Sequence, residues 1–220
     1  MVALADRCRS VEHLLTMTPG YDRAVRRNPG TVVVLTGPAP AQVLAAVDRS
    51  MNVTLIRPEG EDDPLTAASS ALQRAARVSS PYALVPADPL AAVAASWEAM
   101  WDVSTPQGSA EFEAAASQAL TAWRSGQFEL PDYYLVLAPP PADPATSDAT
   151  LAPSFHLGPL VSARAHRVAV VAAAEPAQQA AGVLHELGSL RHGPWWPPLD
   201  ELLDTARRFY PDSLGALASL

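Results

Sequence analysis

Few residues of this chain combine a type and a spacing that could do chemistry. Asp88 follows a short apolar run, Tyr82–Val85, and precedes Pro89 and Leu90. A carboxylate just past a parallel strand stands where ligands enter open α/β sheets, so Asp88 is a candidate acid or base. A plainer use competes with that one. An Asp side chain can satisfy the orphan amides at a helix start, and Pro at the first helical position has no amide to lose. Asp63-Pro64-Leu65 repeats the pattern, which favours capping. Glu59 and Glu175 also lie just past apolar runs and complete the catalytic candidates.

Thr36 and Gly37 end the first apolar run and are the candidates for cofactor contact. Dinucleotide and S-adenosylmethionine folds approach their ligands at this position. They need further glycines there, so that backbone amides can meet a pyrophosphate. Pro38 and Pro40 remove such amides, so no cofactor is expected.

The histidines are His13, His156, His166, His185 and His192. His185-Glu186 opens like a helical zinc motif, but position 189 is Ser, so the second ligand is missing. With a single cysteine, Cys8, neither a Cys-based zinc site nor an intrachain disulfide can form. No metal site is predicted. All 15 basic residues are Arg, which removes Schiff-base, general-base and phosphate-loop lysines together. No Gly-x-Ser-x-Gly elbow is present.

The most distinctive segment is Leu190-Arg-His-Gly-Pro-Trp-Trp-Pro-Pro-Leu199. Prolines stiffen the chain around Trp195 and Trp196, and adjacent side chains of an extended chain point to opposite sides. At least one Trp is therefore expected to leave the domain's own core. Trp is enriched at interface hot spots, so both are candidates for partner contact.

The elements that must position these residues read clearly. Five runs, 31–36, 53–57, 82–85, 133–137 and 167–171, are apolar without alternation, as in parallel strands covered on both faces. Apolar residues three and four apart mark helices between and after them: Val43, Leu44, Val47, Met51; Leu65, Ala68, Leu72, Ala75; Leu90, Val93, Ala94, Trp97; Phe112, Ala116, Ala119, Trp123; Ala180, Leu184, Leu187; and Leu199, Leu202, Leu203, Ala206. Ser109 is expected to open the fourth of these, and Gly126 and Gly193 to stop helices. The predicted fold is a three-layer, doubly wound α/β sandwich of about five mainly parallel strands, with extra N- and C-terminal helices. One domain is expected to span 1–220, with a helical extension over 1–29 and a mobile, proline-rich loop over 138–153.

Composition bounds the partners. The apolar fraction of 49% supplies a core. A net charge of −8 disfavours nucleic acid, which needs a basic face. The apolar runs are far shorter than the roughly 20 residues of a membrane span. The lysine-free, Ala- and Pro-rich usage suits a GC-rich bacterial genome and carries no function. The leading expectation is a non-catalytic cytoplasmic binding protein that acts through a protein partner or self-association, with room for a small molecule. The alternative is an enzyme acting on a small molecule or nucleotide. Thr36, Glu59, Asp88 and Glu175 would ring its site at the sheet's C-terminal edge.

Overall fold

The computed structural model describes residues 30–37, 41–60, 63–101, 107–138, 154–172 and 175–209. The predicted N-terminal helix and nearly all of the proline-rich loop, 139–153, lie outside the described residues.

The five apolar runs form one all-parallel sheet: β1 (Thr31–Thr36), β2 (Val53–Leu55), β3 (Tyr82–Val85), β4 (Tyr133–Ala138) and β5 (Val168–Ala172). Their order is β2-β3-β1-β4-β5. The helices are α1 (Ala41–Val47), α2 (Pro64–Ala75), α3 (Ala91–Met100), α4 (Gly108–Arg124), α5 (Val161–Arg164), α6 (Pro176–Gly188) and α7 (Leu199–Arg208). A π-helical turn, His156–Leu160, leads into α5.

Alternation along each strand divides the core into two layers. Val32 and Val34 of β1, Val85 of β3 and Tyr134 of β4 face α2, α3, α4 and α7. Val33 and Leu35, with Leu84 and Leu135, face α1 and α6. Both faces of the central strands are therefore buried, which is why the runs lack a polar alternate. The result is the predicted three-layer, doubly wound sandwich.

The C-terminal helix is fixed by more than its apolar stripe. Trp97 Nε1 donates to the Ala206 carbonyl at 2.9 Å, tying α3 to α7 inside the core. Arg207 donates from Nε and Nη2 to the two Glu113 carboxylate oxygens, both at 2.8 Å. That fork holds the Glu113 carboxyl below its ordinary range.

Several local expectations are corrected. The first helix ends at Val47, so Met51 leaves the stripe and is 99% exposed. β2 stops at Leu55 rather than running on to Arg57. In α6, Val183 is the buried neighbour of Ala180 and Leu187, while Leu184 points outward. Ser109 lies inside α4, which starts at Gly108 without a side-chain cap. Gly193 sits in extended chain beyond α6, which already ends at Gly188. Gly126 does stop α4, with a φ of 73° that a side chain would oppose.

Candidate functional site

The strand register builds the one buried polar cluster that the described residues show at the sheet's C-terminal side. Val34 of β1 lies between Val85 of β3 and Tyr134 of β4. Val85 is thus level with Tyr134, and Asp88, three residues further on, lies within reach of the Tyr134 hydroxyl. Asp88 Oδ1 accepts from the Leu90 amide at 2.8 Å and from the Tyr134 hydroxyl at 3.2 Å. Asp88 Oδ2 meets His156 Nε2 at 2.7 Å. The His156 and Asp88 side chains are only 8% and 5% exposed. Aromatic rings close the cluster: Tyr134 packs at 5.5 Å from His156 and 5.8 Å from Trp196, and Phe155 lies edge-on to His156.

A carboxylate on an imidazole orients a base in many hydrolytic sites, but such a base must reach a substrate atom. Here the Asp88 carboxylate accepts from three groups, and the aromatic wall leaves the pair almost no surface. The groove between α2 and α4, lined by Asp63, Leu65, Ser117, Gln118, Thr121 and Gln127, shares no residue with the cluster. The arrangement binds β3, β4 and the π-helical turn together.

Burial, and then the negative charge of Asp88, push the Tyr134 hydroxyl well above the ordinary tyrosine value of 10.0. Folding thus favours the neutral phenol. This contribution is complete below pH 10 and is lost as pH rises further, because the unfolded chain ionises first. Melting curves from about pH 8 to 11 should show a steeper alkaline loss for wild type than for Tyr134→Phe. Superimposable alkaline limbs would contradict it.

The other sequence candidates do not gather around Asp88. Thr36 ends β1, and Gly37 turns there with a φ of 93°, so close to β4 that a Cβ would lie 2.3 Å from the Leu137 carbonyl oxygen. Gly37 is thus required by the tight turn itself. Glu59 is exposed and pairs with Arg74 of α2. Glu175 precedes α6 without capping it. Glu59 and Glu175 follow β2 and β5, the opposite edges of the sheet. Four strand spacings separate those edges, about 19 Å.

The Trp-Pro segment divides its two rings. Trp196 is buried, and its Nε1 donates to the Pro131 carbonyl at 2.7 Å. Trp195 is 37% exposed and stacks on Arg167, whose Cζ lies 4.6 Å from its ring centre. Arg167 precedes β5, is 7% exposed and also stacks on Tyr133 at 5.3 Å. Its guanidinium donates to the carbonyls of Pro194, Asp132 and Gly193 at 2.7, 2.9 and 2.9 Å. Five N–H donors in a flat fork make this possible, and Lys could not repeat it.

Sequence reasoning gave no role to His156, Tyr134 or Arg167. His156 lies 68 residues from Asp88, and only the crossing of β1 by the β3-to-β4 connection joins them. Among the described residues no group of three His, Cys, Asp or Glu is placed to hold a metal ion. No described helix is long and apolar enough to cross a membrane. No protein-family model, no curated protein and no solved structure matches the chain.

Proposed function

We propose that this chain is a non-catalytic binding protein that self-associates through the flank formed by β5, α6 and the Trp195 segment. One observation carries the reading. Among the described residues the exposed large apolar side chains are Met51, Val170, Leu184 and Trp195. Three of these four lie on that flank: Val170 in β5, Leu184 in the helix packed over β5, and Trp195 stacked on the residue that leads into β5. Val170 shares the Val168 face of the sheet while Leu184 stands on the helix over the opposite face, so the three bracket one edge, and Trp195, exposed and held by its neighbours, is the contact candidate that supports the reading most.

Trp195 is the expected anchor. Its backbone is stiffened by Pro194 and Pro197, and its carbonyl accepts from Arg164 Nε at 2.7 Å. A ring already held in place loses little entropy on docking. The setting we propose is the cytoplasm, in keeping with a chain whose one cysteine allows no intrachain disulfide.

The alternative, an enzyme working at the sheet's C-terminal edge, would have to rest on the Asp88–His156 pair. Its support is the position of that pair beside β1, where successive connections leave for opposite faces of the sheet.

Sedimentation velocity of wild type and Trp195→Ala tests the proposal. Loss of a hot-spot Trp should weaken self-association roughly 30-fold, equivalent to about 2 kcal/mol. Equal association of the two proteins would overturn the reading.

A further inference from the structure

The chain is acidic overall, with a net charge of −8, yet cations gather around Trp195. Arg167 lies against that ring and is only 7% exposed. A charge buried so far is ordinarily paired with an opposite one. Among the described residues no carboxylate lies within ion-pair distance of Arg167. It meets the Asp132 carbonyl, while the Asp132 carboxylate accepts from the Val32 amide at 2.7 Å. Carbonyl oxygens satisfy the guanidinium donors but carry no net charge to offset them. Two further arginines stand at the same corner. Arg164 donates from Nε to the Trp195 carbonyl. The Tyr133 ring, which also stacks on Arg167, donates from its hydroxyl to the Arg191 carbonyl at 2.8 Å. Arg191 is exposed, and among the described residues its side chain has no bonding partner.

We infer that this corner docks an acidic peptide segment of a partner protein, with carboxylates on Arg164 and Arg191 and an apolar side chain on the exposed part of the Trp195 ring. The inference goes beyond self-association and gives Trp195 a second occupant. Charge complementarity carries it: a cationic corner on an acidic chain steers an anionic segment toward itself and away from the rest of the surface. Composition agrees, since Trp and Arg are the residue types most enriched where protein interfaces are strongest. Arg167, held by three carbonyls, adds positive charge from beneath without having to move. Three arginines are few for an extended polyanion, and the net charge of −8 opposes nucleic acid or an anionic bilayer over a longer range. A short acidic segment presents its charge to the corner alone.

The test is fluorescence anisotropy of a fluorescein-labelled peptide, Glu-Glu-Leu-Glu-Glu, titrated with the wild-type chain at neutral pH and low salt. Binding should saturate and should weaken as salt is added. The neutral peptide Gln-Gln-Leu-Gln-Gln should not bind. Arg191→Glu and Trp195→Ala should each weaken binding of the acidic peptide roughly tenfold or more. Arg208→Glu makes the same change of charge at the other end of α7, about 15 Å of helix away, and should leave the affinity within about twofold. Arg191 is exposed, so its variant should keep a melting temperature near that of wild type. Absence of saturable binding by wild type, or equal affinity of wild type and Arg191→Glu, would overturn the inference. Binding to phosphatidylserine vesicles that Arg191→Glu abolishes, with no peptide binding, would overturn it in favour of a membrane surface. Self-association is read separately, by sedimentation of the chain without peptide, so either reading can fail alone.

Discussion

Asp88→Ala should unfold about 3–5 kcal/mol more easily than wild type, lowering the melting temperature by roughly 10 °C. The substitution removes the acceptor of the Leu90 amide, the Tyr134 hydroxyl and the His156 ring at once. The last two are left buried among Phe155, Trp196 and each other, where water cannot replace the lost partner. Asp63→Ala provides the scale. Asp63 occupies the same Asp-Pro-Leu motif and accepts the Thr66 amide at 2.9 Å, but it stands at the exposed start of α2. Its loss should cost far less than that of Asp88, as the loss of an exposed helix cap does. Chemical denaturation of the two variants side by side separates the roles. Equal costs would mean that Asp88 does no more than hold the Leu90 amide in its turn, and that the cluster does not brace β3 against β4.

Arg167→Met should cost about 3 kcal/mol, although Met keeps much of the apolar stem. Three carbonyls, those of Asp132, Gly193 and Pro194, lose their donor together. The Trp195 ring loses the cation beneath it. The Trp-Pro segment should then loosen, and self-association should weaken along with stability. Arg167→Lys should recover little of either, since an ammonium cannot address three carbonyls in one plane. Exchange of the buried Trp196 indole N–H, which donates to the Pro131 carbonyl, checks the local part: protection should fall in Arg167→Met beyond what the global loss explains. Unchanged protection there, with an unchanged association constant, would detach Arg167 from the segment's order.

The contrast between these two aspartates shows what one sequence holds. Asp63 and Asp88 look alike in their neighbours, but only Asp63 caps its helix as expected; α3 starts at Ala91 with Leu90 at its N-cap and no side-chain cap, and Asp88 holds the Leu90 amide in the turn before it. The role of the second Asp88 oxygen was not legible, because its partner arrives from a turn 68 residues away. The strands were legible for a physical reason: burial on both faces leaves an uninterrupted apolar run, and the 31–36 and 82–85 runs match β1 and β3 to the residue. Helix faces were less so. Leu184 and Val183 are both apolar and adjacent, and only the packing of α6 over Val171 decides that Val183 goes inward. The division of Trp195 from Trp196 was expected from the prolines around them. Which ring is buried depends on the Pro131 carbonyl and the Arg167 guanidinium, and neither signals itself in the chain. Glu59 and Glu175 were grouped because both follow strands. The strand order, which no local pattern encodes, puts them at opposite edges.

The central claim is that this chain works by associating through the β5 flank. Sedimentation equilibrium of the wild-type 220-residue chain, over roughly 1–100 μM, tests it most directly. The account predicts a weight-average mass rising from 23.2 kDa toward about twice that value as concentration increases. A mass that stays at 23.2 kDa across the whole range would contradict it.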